Sequence, residues 1–223
     1  MSDNRHAIAD ALMRVEETLQ TAEYGWHDMQ DPQRARRLTG LRNLIVFGRS
    51  TTFVLQNLRS VVGAEEFDKW YGPEQEALKA SSVMRYFVSA RNDLEKQGRL
   101  HLSMQAQIHN FNSNDIHKYG PRPPGATAFF IGDQLGGSGW EVPLADGTTQ
   151  KYYVNIPAET AQVTQHFSNF SSESGQDIDG RSIDELCRLY IDTLRGLVKR
   201  ARERFLGEPK EAQRTRGHLR VVK

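Results

Sequence analysis

One long apolar segment limits what this chain can fold into. It reads LRNLIVFGRSTTFVLQNL, from Leu41 to Leu58, and at the helical period its apolar side chains lie nearly all the way round rather than on one stripe. The Asp31-Pro32 pair upstream is typical of a helix start, no other proline occurs before Pro73, and Gly63 is a natural stop. We therefore predict a helix of about 30 residues at the centre of a helical bundle.

Three further segments supply helices that pack against it. The first begins at the Ser2-Asp3 pair, and its apolar residues recur at spacings of four and three: Ile8, Leu12, Val15, Leu19, Ala22 and Trp26. The second covers AEEFDKWYGPEQEALKA, where Gly72-Pro73 predicts a break or a kink. The third is capped by one residue of the Ser81-Ser82 pair and ends at Gly98.

The residues after this third helix change to a period of two. From Leu100 to His109 apolar and polar residues alternate, which predicts a strand with one buried face. Residues 126–131, WEVPL and TQKYYVNI are typical of further strands, the last two joined by the turn at 145–147. We expect these segments to form one small, mostly antiparallel sheet.

The C-terminal part is predicted to return to helix. A short helix is expected at 158–170, followed by an exposed loop, SSESGQDIDGRS. Ser182 and Glu185 then form a capping box at the start of an apolar stripe of about six turns. The residues after this helix lack periodicity and carry several basic side chains, so we expect a frayed basic tail.

These elements together predict an α+β protein, predominantly α, in which a helical bundle carries a small inserted antiparallel β-sheet. We divide the chain into the bundle at 1–98, the β insert at 99–157, a helical return on the bundle at 158–206 and the flexible tail at 207–223. In this arrangement all the long helices share one core.

The composition excludes several classes of protein. The 29 basic and 28 acidic side chains nearly cancel, unlike those of a strongly basic nucleic-acid-binding domain. Cys187 is the single cysteine, so an intramolecular disulfide is excluded, and its place on an apolar stripe indicates a small buried side chain. The N-terminus is no signal peptide, and no run approaches the about 20 apolar residues of a membrane span. We expect a cytoplasmic protein without membrane association.

Charged residues cluster where the last helix of the predicted bundle ends, in SARNDLEKQG. Arg91 lies one helical turn from Glu95, and Asn92 lies one turn from Lys96. The spacing permits an ordinary ion pair between Arg91 and Glu95, which would make the cluster only the solvated end of a helix. The catalytic interpretation of the same residues comes from a resemblance.

A helical bundle whose late helix carries an Arg-Asn pair and then another polar side chain resembles the HEPN superfamily. These compact helical domains are often found in bacterial toxin and antiviral systems. Their motif is an arginine, a polar residue that is commonly asparagine, and a histidine four to six residues beyond the arginine. Arg91 and Asn92 match the first two places, while Lys96 stands where the histidine belongs. The resemblance covers roughly the first hundred residues.

In active members the resemblance implies metal-independent RNA cleavage, in which the arginine and histidine of two subunits meet across a dimer interface. Lysine is a poor substitute for the histidine, because an unperturbed pKa of about 10.4 leaves it protonated at neutral pH. His101 can take that role only where the fold turns it back toward Arg91. The resemblance therefore implies a homodimer formed through the bundle, with Arg91, Asn92 and Lys96 as candidate catalytic residues.

Three functions stay open at the level of the sequence. The first is a non-catalytic HEPN-like protein that binds another protein through its dimer or through its sheet. The absence of the histidine from the motif favours this function. The second is a metal-independent ribonuclease of the toxin or defence type. The third is RNA binding without catalysis, through phosphate contacts from Lys199, Arg200 and Arg202. One ring of the Tyr152-Tyr153 pair could also stack on bases, since adjacent residues of a strand point to opposite faces.

No motif predicts a metal or a cofactor. His101 and His109 are too far apart on one strand to hold the same ion at distances of about 2 Å. GDQLGGSG lacks the ending of a phosphate loop and the spacing of a dinucleotide fingerprint, so we interpret it as a hairpin connection. Neither Gly-x-Ser-x-Gly nor His-Glu-x-x-His occurs in the sequence. The expected partners are thus a second copy of the chain, another protein or RNA.

Overall fold

Six α-helices and five strands make up the described part of the chain. The computed structural model describes residues 2–168, 178 and 180–207. The helices are α1 (Ser2–Met29), α2 (Arg37–Leu55), α3 (Leu58–Val62), α4 (Ala64–Ala80), α5 (Ser82–Gln97) and α6 (Ile183–Leu206). The strands are β1 (Leu102–Ile108), β2 (Ala128–Ile131), β3 (Ser138–Pro143), β4 (Thr149–Val154) and β5 (Ala161–Phe167), and a 3₁₀-helix spans Ser113–Tyr119. The predicted α+β class, predominantly α, is confirmed.

Three helix ends, at Ser81, Gly98 and Ser182, lie where the sequence predicts them. Ser81 caps α5 by accepting a hydrogen bond from the Met84 N–H at 3.3 Å, and Gly98 ends it with a left-handed φ of 66°. In the capping box of α6, Ser182 Oγ accepts from the Glu185 N–H at 3.2 Å and Glu185 Oε2 accepts from the Ser182 N–H at 2.9 Å. These caps satisfy backbone groups that a helix leaves unpaired at its ends.

Two predicted segments fall largely outside the described residues. The exposed loop is described only at residue 178 and at 180–182, and the basic tail only at residue 207. The predicted boundary between α6 and the tail agrees with the end of α6 at Leu206.

Two glycines set the distance between α1 and α2. A Cβ atom on Gly25 would lie 2.5 Å from the carbonyl oxygen of Gly40, and one on Gly40 would lie equally close to that of Gly25. The helices therefore cross with their backbones in contact, which no residue with a side chain permits. The predicted stripe of α1, including Leu12 and Val15, lies in the same core as Leu44 of α2, and all three are fully buried.

The apolar segment of residues 41–58 does not form one long, uniformly buried helix. The predicted start at residue 31 is wrong, since α2 begins at Arg37, and the predicted single helix is interrupted after Leu55. At the interruption the Gln56 and Asn57 N–H groups bond to carbonyls only three residues back, which tightens the turn. The buried residues of α2 form one stripe, so Phe47 and Phe53 remain 37% and 47% exposed.

The predicted break at Gly72-Pro73 is absent, because α4 runs through both residues. A proline disfavours a helical conformation in the residue before it, partly because the proline ring clashes with the Cβ atom of that residue. Gly72 has no Cβ atom, so this clash is absent here. Phe67 and Tyr71 are buried before the proline, and the half-buried Leu78 packs after it. Packing on both sides of Pro73 offsets the hydrogen bond that proline cannot make.

The strands form two sheets rather than the single predicted sheet. β1 pairs with β5 antiparallel, from Leu102 opposite Phe167 to Ile108 opposite Ala161. The other sheet has the order β2-β3-β4, all antiparallel, and confirms the hairpin predicted between WEVPL and TQKYYVNI. The predicted buried face of β1 is wrong, since every residue from Ser103 to Ile108 is exposed.

The predicted helix at 158–170 is also wrong, because this segment contains β5. In β5 the residues Gln162, Thr164 and His166 alternate with Val163 and other residues of the opposite face, which is a period of two. So short a pattern is compatible with either a helix or a strand. The segment forms a strand because β1 is available to pair with it. The region predicted as a helical return, residues 158–206, therefore contains the strand β5 before the helix α6.

The core is formed by the helices, and α6 lies in it along its whole predicted stripe. Tyr190 of α6 stacks on Phe87 of α5 with ring centroids 4.0 Å apart. Gly48 of α2 makes room for that ring, since a Cβ there would be 2.4 Å from Tyr190 Cε1. Cys187 is fully buried as predicted, and its burial raises the pKa of the thiol. Across residues 2–168 and 180–207, none of the helices is long and apolar enough to cross a membrane.

A buried arginine joins the N-terminal and C-terminal parts of the fold. Arg37, at the start of α2, is only 5% exposed. Its Nη1 donates to the Met29 carbonyl at the end of α1 at 2.8 Å, and its Nε donates to Gln165 Oε1 of β5 at 2.5 Å. Its Nη2 donates to Asp184 Oδ2 in the first turn of α6 at 2.6 Å, with a second bond from Nη1 to Oδ1 at 3.2 Å.

Asp184 is held in its charged form by this arrangement. Burial opposes its ionisation, but the hydrogen bonds and the positive charge of Arg37 outweigh burial and lower the pKa of the carboxyl. A carboxyl whose pKa is lower in the folded state stabilises the fold above its unfolded pKa. That stabilisation is lost as the pH falls through the folded pKa.

We predict that Arg37→Ala lowers the free energy of unfolding by about 3 kcal/mol, because it leaves a partly buried carboxylate unpaired. The neighbouring Arg36→Ala is the matched control, since Arg36 is 67% exposed and pairs with Asp28 on the surface; its expected loss is below about 1 kcal/mol. Urea unfolding followed by circular dichroism measures both. The difference between wild type and Arg37→Ala should narrow as the pH falls through the folded pKa of Asp184, which lies below the ordinary aspartate value. Equal losses in the two variants would contradict the prediction.

Candidate functional site

The polar partners of Arg91 belong to its own helix, α5. It is half-buried on α5, and its Nη1 lies 2.7 Å from Glu95 Oε2 and 3.4 Å from Asn92 Oδ1. Its guanidinium is also 6.0 Å from the ring centre of Phe53 on α2. The ion pair with Glu95 that the spacing permits is therefore present. The Arg91 Nε is buried and has no hydrogen-bond partner within the described residues.

The other members of the HEPN-like motif do not join Arg91. Lys96 is exposed near the end of α5, and the polar partners of Arg91 are Glu95 and Asn92 instead. His101 does lie against α5, in a small crevice that Ser89 and Asp93 also line. With 3.6 residues per turn these two residues lie on the side of α5 roughly opposite Arg91. The fold thus brings Arg91, Asn92 and Glu95 together and directs His101 elsewhere.

The cations predicted to contact RNA are each paired with a carboxylate. Arg200 makes two bonds of 2.7 Å to Glu74 of α4, and Arg202 donates to Glu16 of α1 at 2.7 Å. Lys199 is the most exposed, at 77%, and lies 3.7 Å from Glu203. The pairs of Arg200 and Arg202 attach α6 to α4 and α1, whereas Lys199 pairs within α6. The three pairs neutralise much of the predicted basic surface, a charge balance that favours packing over phosphate binding.

The two adjacent tyrosines of β4 have different surroundings. Tyr153 donates a hydrogen bond from its hydroxyl to Asp133 Oδ2 at 2.7 Å and packs edge-on against Phe130. This bond and burial raise the pKa of Tyr153, with burial the larger cause. Tyr152 is 36% exposed, so it alone of the pair has a ring surface open to a base.

No metal centre is formed in the part of the chain that the structure describes. Groups of three or more His, Cys, Asp or Glu side chains suited to a metal ion are absent from it. His166, which the sequence analysis did not consider, bonds to the Arg181 carbonyl and to Thr164 Oγ1, both at 3.0 Å.

The free edge of β1 is the most unusual surface of the fold. Along residues 2–168 and 180–207 this strand pairs only with β5. The His101 carbonyl accepts from the Ser168 N–H at 2.9 Å, and the His109 N–H donates to the Thr160 carbonyl at 3.0 Å. In an antiparallel ladder such pairs recur at every second residue, so the odd-numbered residues of β1 bond to β5. The backbone groups of the even-numbered residues therefore point outward: Leu102, Met104, Ala106 and Ile108.

The similarity to known proteins concerns the N-terminal part of the chain. A family model described as bacteriophage lambda protein ea47 matches residues 7–131, which is more than half of the chain. The chain belongs to the bacteriophage lambda protein ea47 family. No curated protein and no solved structure matches it.

The part that matches the ea47 family includes two of the candidate surfaces, the Arg91 cluster of α5 and the free edge of β1. It runs from α1 to β2 and contains Arg91, Asn92, Lys96 and the whole of β1. The cations of α6 lie beyond its end at residue 131. The ea47 match thus concerns the helical bundle and its first strand rather than the predicted basic helix.

Sequence reasoning missed a set of residues that meet between the helices. Arg49, Lys79 and Arg85 come from α2, α4 and α5 and line one cavity. No local sequence pattern predicts such a cavity, because each of these residues looks like an ordinary charged surface residue of its own helix. The free edge of β1 had a signal, since LSMQAQI contains neither a charge nor a proline.

We predict that the triple variant Lys199→Ala, Arg200→Ala and Arg202→Ala binds single-stranded RNA no more weakly than wild type, because these side chains are already paired. Fluorescence anisotropy with a labelled oligouridine at two salt concentrations measures the affinity and its salt dependence. A variant that loses affinity and shows a shallower salt dependence, while its circular dichroism spectrum stays unchanged, would show that the cations bind RNA.

Proposed function

We propose that this member of the ea47 family is a non-catalytic interaction protein that forms a homodimer by pairing its β1 strand with β1 of a second copy. In this proposal the bundle is HEPN-like without the histidine that catalysis requires. The observation that carries the proposal is the uncharged free edge of β1, which is exposed along nearly its whole length.

Free strand edges are usually protected against pairing with another chain. Lysine, proline, a bulge or a very short strand provides this protection in most proteins. β1 has seven residues, LSMQAQI, without a charge or a proline among them. Along the described residues no other strand covers its outer edge. An edge with these properties favours the addition of a further strand.

The sequence of β1 is complementary to itself in one antiparallel register. With the two-fold axis at Gln105, Leu102 lies opposite Ile108 of the second copy and Met104 lies opposite its Ala106. All of these residues direct their backbone groups outward, so each pair can exchange roughly two hydrogen bonds. Apolar side chains then meet apolar side chains on one face, while Ser103 meets Gln107 on the other.

Pairing in this register also covers exposed apolar surface. Ile108 is 58% exposed and Met104 is 39% exposed in the single chain. Cross-strand apolar pairs contribute about 0.2–1 kcal/mol each beyond the hydrogen bonds. The exposed Phe53 of the bundle is less suited to an interface, because the guanidinium of Arg49 already lies 4.3 Å from its ring centre.

We predict that Gln105→Cys forms a disulfide-linked dimer under mild oxidation. Gln105 would face its own copy in a pair without hydrogen bonds, with Cα atoms about 4.5 Å apart, which is a spacing that a disulfide can bridge. Gln162→Cys is the matched control, since Gln162 is exposed on the same face of the neighbouring strand β5. The native Cys187 is buried and should not interfere. Non-reducing electrophoresis distinguishes the two variants.

Light scattering on the unmodified protein gives the independent measurement. The wild type should be a dimer, and Gln105→Lys should be a monomer because two like charges would meet at the axis. A monomeric wild type, or equal cross-linking of the Gln105 and Gln162 variants, would contradict the proposal. A dimer that Gln105→Lys leaves intact would place the interface elsewhere, as on the bundle.

A metal-independent ribonuclease is the second candidate. It is favoured by the buried Arg91 Nε, which lacks a partner among the described residues and lies beside Asn92 as in the HEPN-like motif. It is opposed by the ion pair with Glu95 and by the position of His101 on the other side of α5.

We expect purified wild-type protein to leave total RNA uncleaved without added metal, because His101 lies on the other side of α5 and the carboxylate beside Arg91, that of Glu95, is held in an ion pair. The measurement is electrophoresis of the RNA after incubation, with Arg91→Ala beside wild type. Cleavage by wild type that Arg91→Ala abolishes would establish the ribonuclease and overturn the non-catalytic proposal. Cleavage that both proteins show equally would indicate a contaminating nuclease.

A further inference from the structure

A cavity of about 290 Å³ opens between α2, α4, α5 and α6. Its apolar wall includes Leu78, Met84 and Val88, and its charged side chains are Arg49, Lys79 and Arg85. The volume is near the lower limit of about 300–1,000 Å³ for small-molecule pockets. This cavity is separate from the β1 edge, none of whose residues lines it.

The charges around the cavity are all positive. Within the described residues, no carboxylate lines it. Arg85 Nη1 donates to the Lys79 carbonyl at 2.8 Å and to the Ala80 carbonyl at 2.9 Å, which fixes the guanidinium at the end of α4. Arg49 Nη1 donates to Thr52 Oγ1 at 2.9 Å and has no acidic partner in the described chain. Lys79 pairs with Glu76, but both side chains are well exposed, so the pair is weak.

Two buried tyrosines also line the cavity. Tyr190 is 1% exposed and Tyr71 is 8% exposed, yet neither hydroxyl has a hydrogen-bond partner in the described structure. Burial raises the pKa of both phenols, so each remains a neutral donor. Neither hydroxyl is among the buried polar atoms that lack a partner, so each is open to the cavity and can donate to water or to a ligand there.

The position of the Tyr190 hydroxyl is fixed by its neighbours. The ring stacks on Phe87 almost parallel, at an interplanar angle of 3°. On another side the backbone of Gly48 approaches so closely that any side chain there would overlap the ring. Since the ring cannot turn away, the hydroxyl stays at the cavity wall, where an oxygen of a bound ligand can replace water as its acceptor.

We propose that this cavity binds a small organic anion with an apolar body. The anionic group lies between Arg49 and Arg85, where guanidinium N–H groups form strong charge-assisted hydrogen bonds. The apolar body contacts Leu78 and Val88, and an oxygen of the ligand accepts the hydrogen bond of Tyr190. Fatty-acid-like carboxylates and aromatic sulfonates or phosphates share this chemistry. This binding is independent of the proposed dimer.

The test uses 8-anilinonaphthalene-1-sulfonate, a fluorescent organic anion, with the full chain. We expect saturable binding to the wild type that octanoate displaces and that octanol, which has the same apolar body without the charge, displaces at least tenfold less well. Inorganic phosphate, which lacks the apolar body, should compete poorly. Displacement by octanol as effective as by octanoate would overturn the assignment of an anion site.

Variants locate the bound probe. Arg49→Gln should weaken binding about tenfold, whereas the matched Arg42→Gln, on the same helix but outside the cavity, should not. Val88→Trp should fill the cavity and abolish binding, and Tyr190→Phe should weaken it severalfold while it keeps the stacked ring. Unchanged binding by both Arg49→Gln and Val88→Trp, with unchanged circular dichroism, would place the probe elsewhere and refute the proposal.

Discussion

The fold depends on the buried guanidinium of Arg37. A charge that is 5% exposed is tolerated only with hydrogen bonds in several directions, and here they come from the end of α1, from β5 and from the start of α6. These partners are distant in the sequence, so the guanidinium can be satisfied only after the C-terminal part has returned to the bundle. Arg37 thus joins the ribbon of β1 and β5 to the helices through Gln165.

This constraint explains why one strand of the ribbon is held firmly and the other is left exposed. In β5, Gln165 and Phe167 are buried against the helices, and their contacts fix the strand. β1 is held mainly by its ladder with β5, because almost none of its side chains enters the core. A strand fixed along one edge and open along the other is preorganised to pair, since its conformational entropy is already lost on folding.

Local sequence signals predicted the parts of the fold that depend on neighbours in the chain. The caps at Ser81, Gly98 and Ser182 and the pairing of Arg91 with Glu95 involve residues within about one helical turn. Errors arose where a distant partner decides the structure. β5 is a strand because β1 lies beside it, and α4 continues through Pro73 because its residues pack on both sides. The cavity could not be predicted, since its lining comes from four helices.

The cavity and the free edge are connected through α5. Its first half contributes Met84, Arg85 and Val88 to the cavity, and its end at Gly98 leads directly into β1. A shared helix does not by itself couple two sites. A ligand shifts an assembly equilibrium only when it binds the two assembly states with different affinities. Because the β1 edge is fixed by β5 rather than by α5, a ligand that leaves α5 in place would bind monomer and dimer equally.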